Sequence, residues 1–571
     1  MNILDIEDIL GAENTSMSEE TCAVYSRDVT SLPNLVNQII SRRFDLVAQP
    51  VTVWSLQRLV RYAIDNDIPM VPRGHGTSGW GGAIPSRGGI CVSLTRMTKI
   101  IKVDEYESFV TVESGITWRD LLMFLERMGT TLPVYPSSAA AATVGGFIAS
   151  GGIGIGSARY GDIRTQVLGI EAVLANGKLV RVGNLILDTE TDVFGEEANI
   201  GTKWFLDQIR DQVVEGTSDH LQVLMATYGT ICMITKVTLR TIPKLQMLPF
   251  ACSFDSIGNL VQATKQITIE TKPYHVRYMA DNYTSKLDSL DNLDSEHGKY
   301  ILSGALHDTV YRNEENHAII EKATKNAGGI VLDDDRAEFH WSERLFPLRI
   351  KRKGPSLVPA EMLIPVDQLP KMLEETEQKL RGSNIAIEGT LGAEGDASCL
   401  IWILDDERKK ISYTLGWYRS FEINSLARKH GGRTYAVGLW NTRQALEFYG
   451  KAGFQRLLRL KKRVDPKDLL NPMKVFGGRI EAAWQSLTLG FVGGFMVALF
   501  ISTFGPRLLG LTWVIDLMSM NLYQIIPIPT FIIVSFMGGV LGYLVIKQMS
   551  LSWALNIGIP FLKLISKILR K

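Results

Sequence analysis

The chain has 571 residues, more than a single hydrophobic core usually supports, so two or more domains are expected. Its 61 basic and 60 acidic residues nearly cancel, but from Ala482 onward six basic residues face one acidic residue, Asp516. The tail is therefore net +5 and the body before it net −4: the body offers no basic platform for nucleic acid, and the tail suits an anionic membrane surface.

The five cysteines (Cys22, Cys91, Cys232, Cys252 and Cys399) are scattered singly. No Cys-x-x-Cys occurs, which excludes a zinc ribbon or an iron–sulfur site of that type. An odd, unpaired set fits buried thiols in a reducing compartment. The N-terminus is acidic and lacks a basic region ahead of an apolar run, which argues against a cleaved signal peptide.

Val47 to Pro50 reads as a short strand. Val53 to Asp65 follows as a helix, with Trp54, Leu56, Leu59, Val60, Ala63 and Ile64 at helical spacing. A second strand, Ile68 to Val71, runs into Pro72-Arg-Gly-His-Gly-Thr-Ser-Gly-Trp-Gly-Gly82. Gly74, Gly76 and Gly79 match Gly-x-Gly-x-x-Gly, but a Rossmann site needs that motif to open a helix. The glycines and proline that follow cannot form one, so the Rossmann reading fails. What remains is a loop of backbone N–H groups with little side-chain bulk, able to wrap an anion.

A second glycine-rich stretch runs from Pro136 through Thr143, Gly145 and Gly146 to Gly156 and Asp162, small where a bulky ligand would need close backbone approach. Val167 to Ala175, Asn176-Gly177 and Leu179 to Val182 then form a strand–turn–strand hairpin. Two separate glycine loops point to a bound nucleotide.

At the other end, Ala482 to Pro506 and Leu517 to Ile546 contain no charged residue. Each is long enough to cross ~30 Å of hydrocarbon at ~1.5 Å per residue. Both carry Gly-x-x-x-Gly (Gly490 to Gly494, Gly538 to Gly542), a spacing at which helices can pack closely. Basic residues crowd both outer flanks, from Arg459 to Arg479 and from Lys547 to Lys571, which puts the N-terminal body in the cytoplasm. Leu551 to Lys571 reads as an interfacial basic tail.

The glycine-rich residues resemble the FAD-binding domain of the vanillyl-alcohol oxidase and p-cresol methylhydroxylase superfamily, in particular its branch of glycolate oxidase flavoproteins and D-lactate dehydrogenases. Pro72 to Gly79 is similar to that family's pyrophosphate loop. Thr143 to Ser150 and Arg159-Tyr-Gly-Asp162 resemble its second flavin-binding stretch, and Val167 to Val180 its hairpin. Tyr228 to Thr235, with Val237 to Pro243, resembles the strand closing the domain. Val464-Asp-Pro-Lys-Asp-Leu-Leu-Asn-Pro-Met-Lys-Val475 resembles the C-terminal signature. The resemblance covers about Ala48 to Phe476.

It implies an α+β body: an N-terminal segment (1–32), a two-subdomain FAD-binding domain (33–243), a substrate cap with an antiparallel sheet (244–440), and a return to the first domain (441–481). The transmembrane helices (482–506 and 517–546) and the tail (551–571) follow. FAD is the implied cofactor. Its implied binding residues are Arg73, Gly74, His75, Gly76, Thr77, Ser78, Gly79, Pro136, Thr143, Gly145, Gly146, Ala149, Ser150, Gly156, Tyr160, Gly161, Ile234 and Asn471.

Three departures from the family pattern matter. Thr77 stands where some relatives attach FAD covalently through histidine, so non-covalent FAD is expected. The cap stretch Glu388 to Ile401 lacks the paired histidines of metal-dependent relatives, so no catalytic metal is expected. Tyr228, in Ala226-Thr-Tyr-Gly, replaces a carboxylate near the cofactor.

Trp341-Ser-Glu-Arg344 resembles the element whose arginine meets a substrate carboxylate. His430-Gly-Gly-Arg-Thr-Tyr435 resembles the strand reaching toward the flavin. Arg344, His430, Arg433 and Tyr435 are therefore the catalytic candidates, with His430, His340 or Tyr435 as the base. The expected function is a membrane-anchored dehydrogenase of a hydroxylated substrate, such as a 2-hydroxy acid, passing electrons through FAD to a quinone or partner protein. A lipid or isoprenoid substrate, or a flavin-binding subunit without turnover, are the alternatives.

Overall fold

The structure is a computed structural model that describes residues 1–30, 43–104, 106, 108–185, 187, 194–209, 219–291, 298–392 and 395–477. The chain divides into two compact units, Met1–Phe476 and Gly477–Lys571, and the elements below belong to the first. The charge-free spans 482–506 and 517–546 and the tail 551–571 lie outside the described residues. Among those described, no helix is long and apolar enough to cross a membrane.

The entry unit forms because local signals agree. Thr52 caps the helix Val53–Asp65 through a reciprocal box with Ser55, its Oγ1 accepting from the Ser55 N–H at 3.1 Å. Val53, Leu56, Leu59, Val60 and Ala63 form the buried stripe. Trp54, placed with the apolar face by spacing, instead lies half exposed, with the Arg58 guanidinium 4.5 Å above its ring. Strands Leu46–Ala48 and Met70–Arg73 both pair parallel with Ile90–Ser93, and Thr15–Ser16 adds an antiparallel edge.

A second, antiparallel sheet of five strands runs in the order Ile100–Asp104, Phe109–Glu113, Cys232–Arg240, Val167–Leu174, Leu179–Gly183. The expected hairpin is its last pair, turning where Gly177 takes φ +79°. All five cysteines are buried and unpaired.

The third layer is an eight-stranded antiparallel sheet built from Gln246 to Thr434. Its four strands nearest the first two sheets' ligand loops are His275–Ala280, Ile385–Thr390, Asp396–Asp405 and Ser356–Pro365, in that order. Side chains alternate across a sheet. One face buries Val276, Ile387, Ile401 and Ile403 among apolar neighbours; the other carries polar groups taken up below.

After the cap the chain returns to the entry unit. The Met70 N–H donates to Leu469 O at 2.8 Å, and the Asn471 N–H donates to Met70 O at 2.7 Å. Lys461 anchors this return. Its buried ammonium donates to Thr230 O, Leu470 O and the Asp465 carboxylate at 3.1, 2.7 and 2.6 Å. Lys461→Met is expected to destabilise the body by about 3 kcal/mol, because a buried carboxylate loses its counter-charge. Urea unfolding followed by circular dichroism reads this as a lower midpoint at unchanged slope.

Candidate functional site

The strand Met70–Arg73 delivers its last residue, Arg73, to the start of the first glycine loop. Its buried guanidinium lies 5.5 Å from the Tyr25 ring centroid, and Nη1 has no protein partner. Gly76 takes φ +68°, and a Cβ there would sit 2.2 Å from the Arg73 guanidinium, so the loop folds over its own cation. No regular helix follows this loop, in keeping with the exclusion of a Rossmann motif.

The second stretch differs from a glycine-lined turn. Val144–Ser150 is a short helix, with Thr143 as its cap: Thr143 Oγ1 accepts from the Gly146 N–H at 3.3 Å. Gly151, left-handed at φ +69°, ends it. The two segments touch. The His75 ring Nδ1 lies 2.8 Å from Ala141 O, and a Cβ on Gly74 would fall 2.2 Å from Thr143 Oγ1. Gly145 is held against Ser114, where its N–H donates to the Ser114 carbonyl at 2.8 Å.

Between these segments and the cap runs one long cavity. Of the residues expected to bind FAD, the first-loop set from Arg73 to Gly79 lines it, together with Pro136, Thr143, Gly145, Gly146, Ala149, Ser150 and Ile234. Gly156, Tyr160, Gly161 and Asn471 do not. Gly156, at φ +88°, lets the chain pass Pro133 O, and Tyr160 packs edge-on to Tyr274 of the cap. Gly161, at φ +78°, ends the short helix Ser157–Tyr160. Asn471 acts one step away, its side-chain amide donating to Gly82 O at 2.9 Å and Tyr228 O at 2.5 Å. Tyr228 in turn accepts from the Val437 N–H at 2.9 Å.

The catalytic candidates separate. Arg344 and Tyr435 line the cavity. His430 points to Glu375 (3.0 Å) on the helix Leu369–Lys379, and Arg433 pairs with Asp396 (3.0 Å) at the sheet edge; neither lines the cavity. His340 is buried against Phe339, also away from it.

The cap wall contains residues that motif reading did not find. His275 and Arg277 stand two apart on one strand, Glu388 and Thr390 on the next, then Ser398, Leu400 and Trp402, then Glu361, all lining the cavity. A two-residue repeat of polar groups in these strands was the available signal. Arg277 Nε donates to Glu388 Oε2 at 3.0 Å, Nη2 joins the same oxygen and Tyr283, and Nη1 has no partner. Glu388 Oε1 accepts from Trp402 Nε1 at 3.0 Å, so both its oxygens are engaged.

Arg344 lies 3.8 Å over the Trp341 ring with Nε unpartnered. His275 is buried with neither ring nitrogen bonded. Burial, then the charges of Arg277 and Arg344, lower its pKa to about 3, so it is neutral at pH 7. Glu361 is different: removal from bulk water raises its carboxyl to about 8, against the hydrogen bond from Trp80 Nε1 at 3.1 Å. Tyr435 donates to Ile153 O at 3.0 Å, and burial holds its phenol well above the usual range.

The residues fit a flavin dinucleotide. A nearly side-chain-free cradle lies beside an unpartnered buried arginine nitrogen and the unpartnered Ser114 hydroxyl, which suits an anionic diphosphate. FAD, when bound there, supplies the two-electron acceptor.

Comparison with known proteins agrees. Residues 44–183 match the family model described as FAD binding domain, and 249–475 match that of the FAD linked oxidases, C-terminal domain. The probable mitochondrial D-lactate dehydrogenase of Danio rerio is 26% identical over 460 residues, covering 76% of this chain and 84% of that one. The glycolate oxidase protein GlcD of Bacillus subtilis is 26% identical over 499 residues, covering 82% and 95%. The crystal structure of p-cresol methylhydroxylase superposes with a TM-score of 0.68 at 18% identity, covering 83% of this chain and 96% of that one. With an FAD binding domain followed by the C-terminal domain of FAD linked oxidases, the chain is an FAD-linked oxidoreductase.

Proposed function

We propose that the enzyme oxidises the alcohol carbon of a small hydroxy acid, with the substrate carboxylate received at the cap end of the cavity. The observation that carries this is the cationic cap wall. Arg277 Nη1 and Arg344 Nε lack partners, and both charges act on His275, which stays neutral. A buried carboxylate fits such donors through charge-assisted hydrogen bonds. The names of relatives point the same way: D-lactate, glycolate and D-2-hydroxyglutarate enzymes all match over most of their length.

In this reading FAD is held without a covalent bond, since Thr77 offers no attachment and His75 is turned to Ala141 O. The apolar spans 482–506 and 517–546 anchor the chain as a hairpin in the cell membrane with the body on the cytoplasmic side. Such an anchor makes a lipid-phase quinone or a membrane-bound acceptor protein accessible to the enzyme.

An anaerobic donor screen on the purified full chain tests the reading. D-lactate, glycolate or D-2-hydroxyglutarate is expected to bleach the flavin's visible absorbance. Re-oxidation is expected to be faster by a soluble quinone than by oxygen. Bleaching by a lipid extract alone would replace the hydroxy acid with a lipid substrate. A flavin that stays yellow with every donor would make the chain a flavin-binding subunit.

A further inference from the structure

Whatever oxidises an alcohol must remove two hydrogens by different routes. The carbon's hydrogen leaves with its bonding pair to FAD, and the hydroxyl hydrogen leaves as a proton to a base. The candidates for that base taken from sequence do not meet the requirement of geometry. His430 and His340 lie outside the cavity, and the Tyr435 hydroxyl is committed to Ile153 O.

Apart from Tyr435 and the arginines, the titratable groups among the described lining residues are Tyr228, Cys232, His75, His275, Glu361 and Glu388. Burial raises the Tyr228 phenol and the Cys232 thiol, so both stay protonated. His75 belongs to the first glycine loop and is tied to Ala141 O. His275, held neutral by its burial and by the charges of Arg277 and Arg344, is too weak a base, since a protonated imidazole there would add a third positive charge to the wall. Glu388 has both oxygens occupied by Arg277 and Trp402.

Glu361 is left. It stands alone as a charge in the ten-residue strand Ser356–Pro365, on the cavity face, opposite Leu400 of the neighbouring strand. Its Oε2 accepts from the Trp80 indole N–H, and Trp80 belongs to the first glycine loop. The carboxylate is thus pinned between the flavin loop and the cap, with Oε1 left for a ligand. No ion pair of Glu361 occurs among the described residues. The titratable groups around it are Glu388, Tyr435, Tyr228 and Cys399.

We propose that Glu361 is the catalytic base that takes the substrate's hydroxyl proton, replacing a metal-assisted histidine base. The inference rests on the alcohol-oxidation reading above. In the step, the O–H bond breaks with the proton passing to Glu361 and the C–H bond breaks with its electron pair passing to FAD. A C=O bond forms. The active form is the carboxylate, so flavin reduction should rise with pH and level off above about 8.

The test compares wild type, Glu361→Gln and Glu361→Asp as FAD-loaded full-length protein, with D-lactate as donor and oxalate as a non-reacting carboxylate probe. Glutamine is expected to slow anaerobic flavin reduction by about 100-fold or more, within the usual worth of general-base catalysis. The pH-dependent limb should vanish. FAD content and the oxalate-induced shift of the flavin spectrum should stay within about threefold of wild type, which a general loss of structure would not allow. Aspartate should recover part of the rate, and EDTA treatment should leave the wild type unchanged.

A Glu361→Gln rate within about threefold of wild type, a surviving pH limb, or abolition of turnover by EDTA would each overturn the proposal while leaving alcohol oxidation standing. Failure of D-lactate, glycolate and D-2-hydroxyglutarate to reduce the wild-type flavin would instead remove the alcohol-oxidation reading, and the base with it.

Discussion

Gly145→Val is expected to yield a folded but colourless protein, and Gly145→Ala one with FAD affinity lowered by on the order of tenfold to a hundredfold. Two effects oppose each other at this position. Inside a helix, alanine is favoured over glycine by about 1 kcal/mol, which would predict stabilisation. But a Cβ on Gly145 would lie 2.6 Å from the Ser114 Cβ, an atom fixed to its backbone that cannot swing away. Relief requires the helix Val144–Ser150 to lift from the strand end. That breaks the bond from the Gly145 N–H to Ser114 O and disturbs the Thr143 cap, whose hydroxyl also abuts Gly74. Overpacking of this kind costs about 1–3 kcal/mol, so it outweighs propensity and falls on both walls of the dinucleotide cradle at once. Valine adds two further atoms to the same gap. Absorbance at the visible flavin bands per polypeptide, after desalting, gives the loading. Gly258→Ala supplies the control: this helical glycine is exposed and a Cβ there would meet Ser256 Oγ at an unstrained 3.9 Å, so the same exchange should leave FAD loading unchanged and stability equal or slightly higher.

How much of this was visible in the sequence depends on the range over which each feature is decided. The helix Val53–Asp65, the hairpin at Asn176-Gly177 and the helix-free loop after Arg73 are fixed by neighbours in the chain, and composition reveals them. The helix at Val144–Ser150 escaped because two glycines depress local propensity, and its formation is decided by Thr143 and by docking on Ser114 and Ile116. Trp54 was assigned to the wrong face because its hydrophobicity says nothing of Arg58 one turn later, which covers it. The catalytic wall was the least legible part. Its polar groups lie on four strands whose spatial order, His275–Ala280, Ile385–Thr390, Asp396–Asp405, Ser356–Pro365, is not their order in sequence. His430 shows the reverse error: motif context suggested the flavin, but Glu375, 55 residues earlier, holds the ring elsewhere.

Arg277→Met should produce two losses that a second substitution can separate. Arg277 is about 5% exposed and neutralises Glu388, which is similarly buried, so methionine leaves a carboxylate with only the Trp402 N–H. Removing one partner of a buried pair costs about 3–5 kcal/mol. For a body whose total stability is on the order of 5–15 kcal/mol, that is a large fraction. Urea unfolding should show the full loss in Arg277→Met. In Arg277→Met with Glu388→Gln the uncompensated charge is gone, so most of the stability should return, since a neutral pair of similar volume fits the same space. Carboxylate binding should not return. The unpartnered Nη1 donor of this lining residue is absent in both variants, and a hydrogen bond to a charged group contributes about 1.5–3 kcal/mol, or roughly tenfold to a hundredfold in affinity. Oxalate titration of the flavin spectrum should therefore report the same weakened binding in the single and double variants, while their unfolding midpoints differ. Equal recovery of binding and stability in the double variant would mean that Arg277 serves only to balance Glu388, and that Arg344 alone receives the substrate's carboxylate.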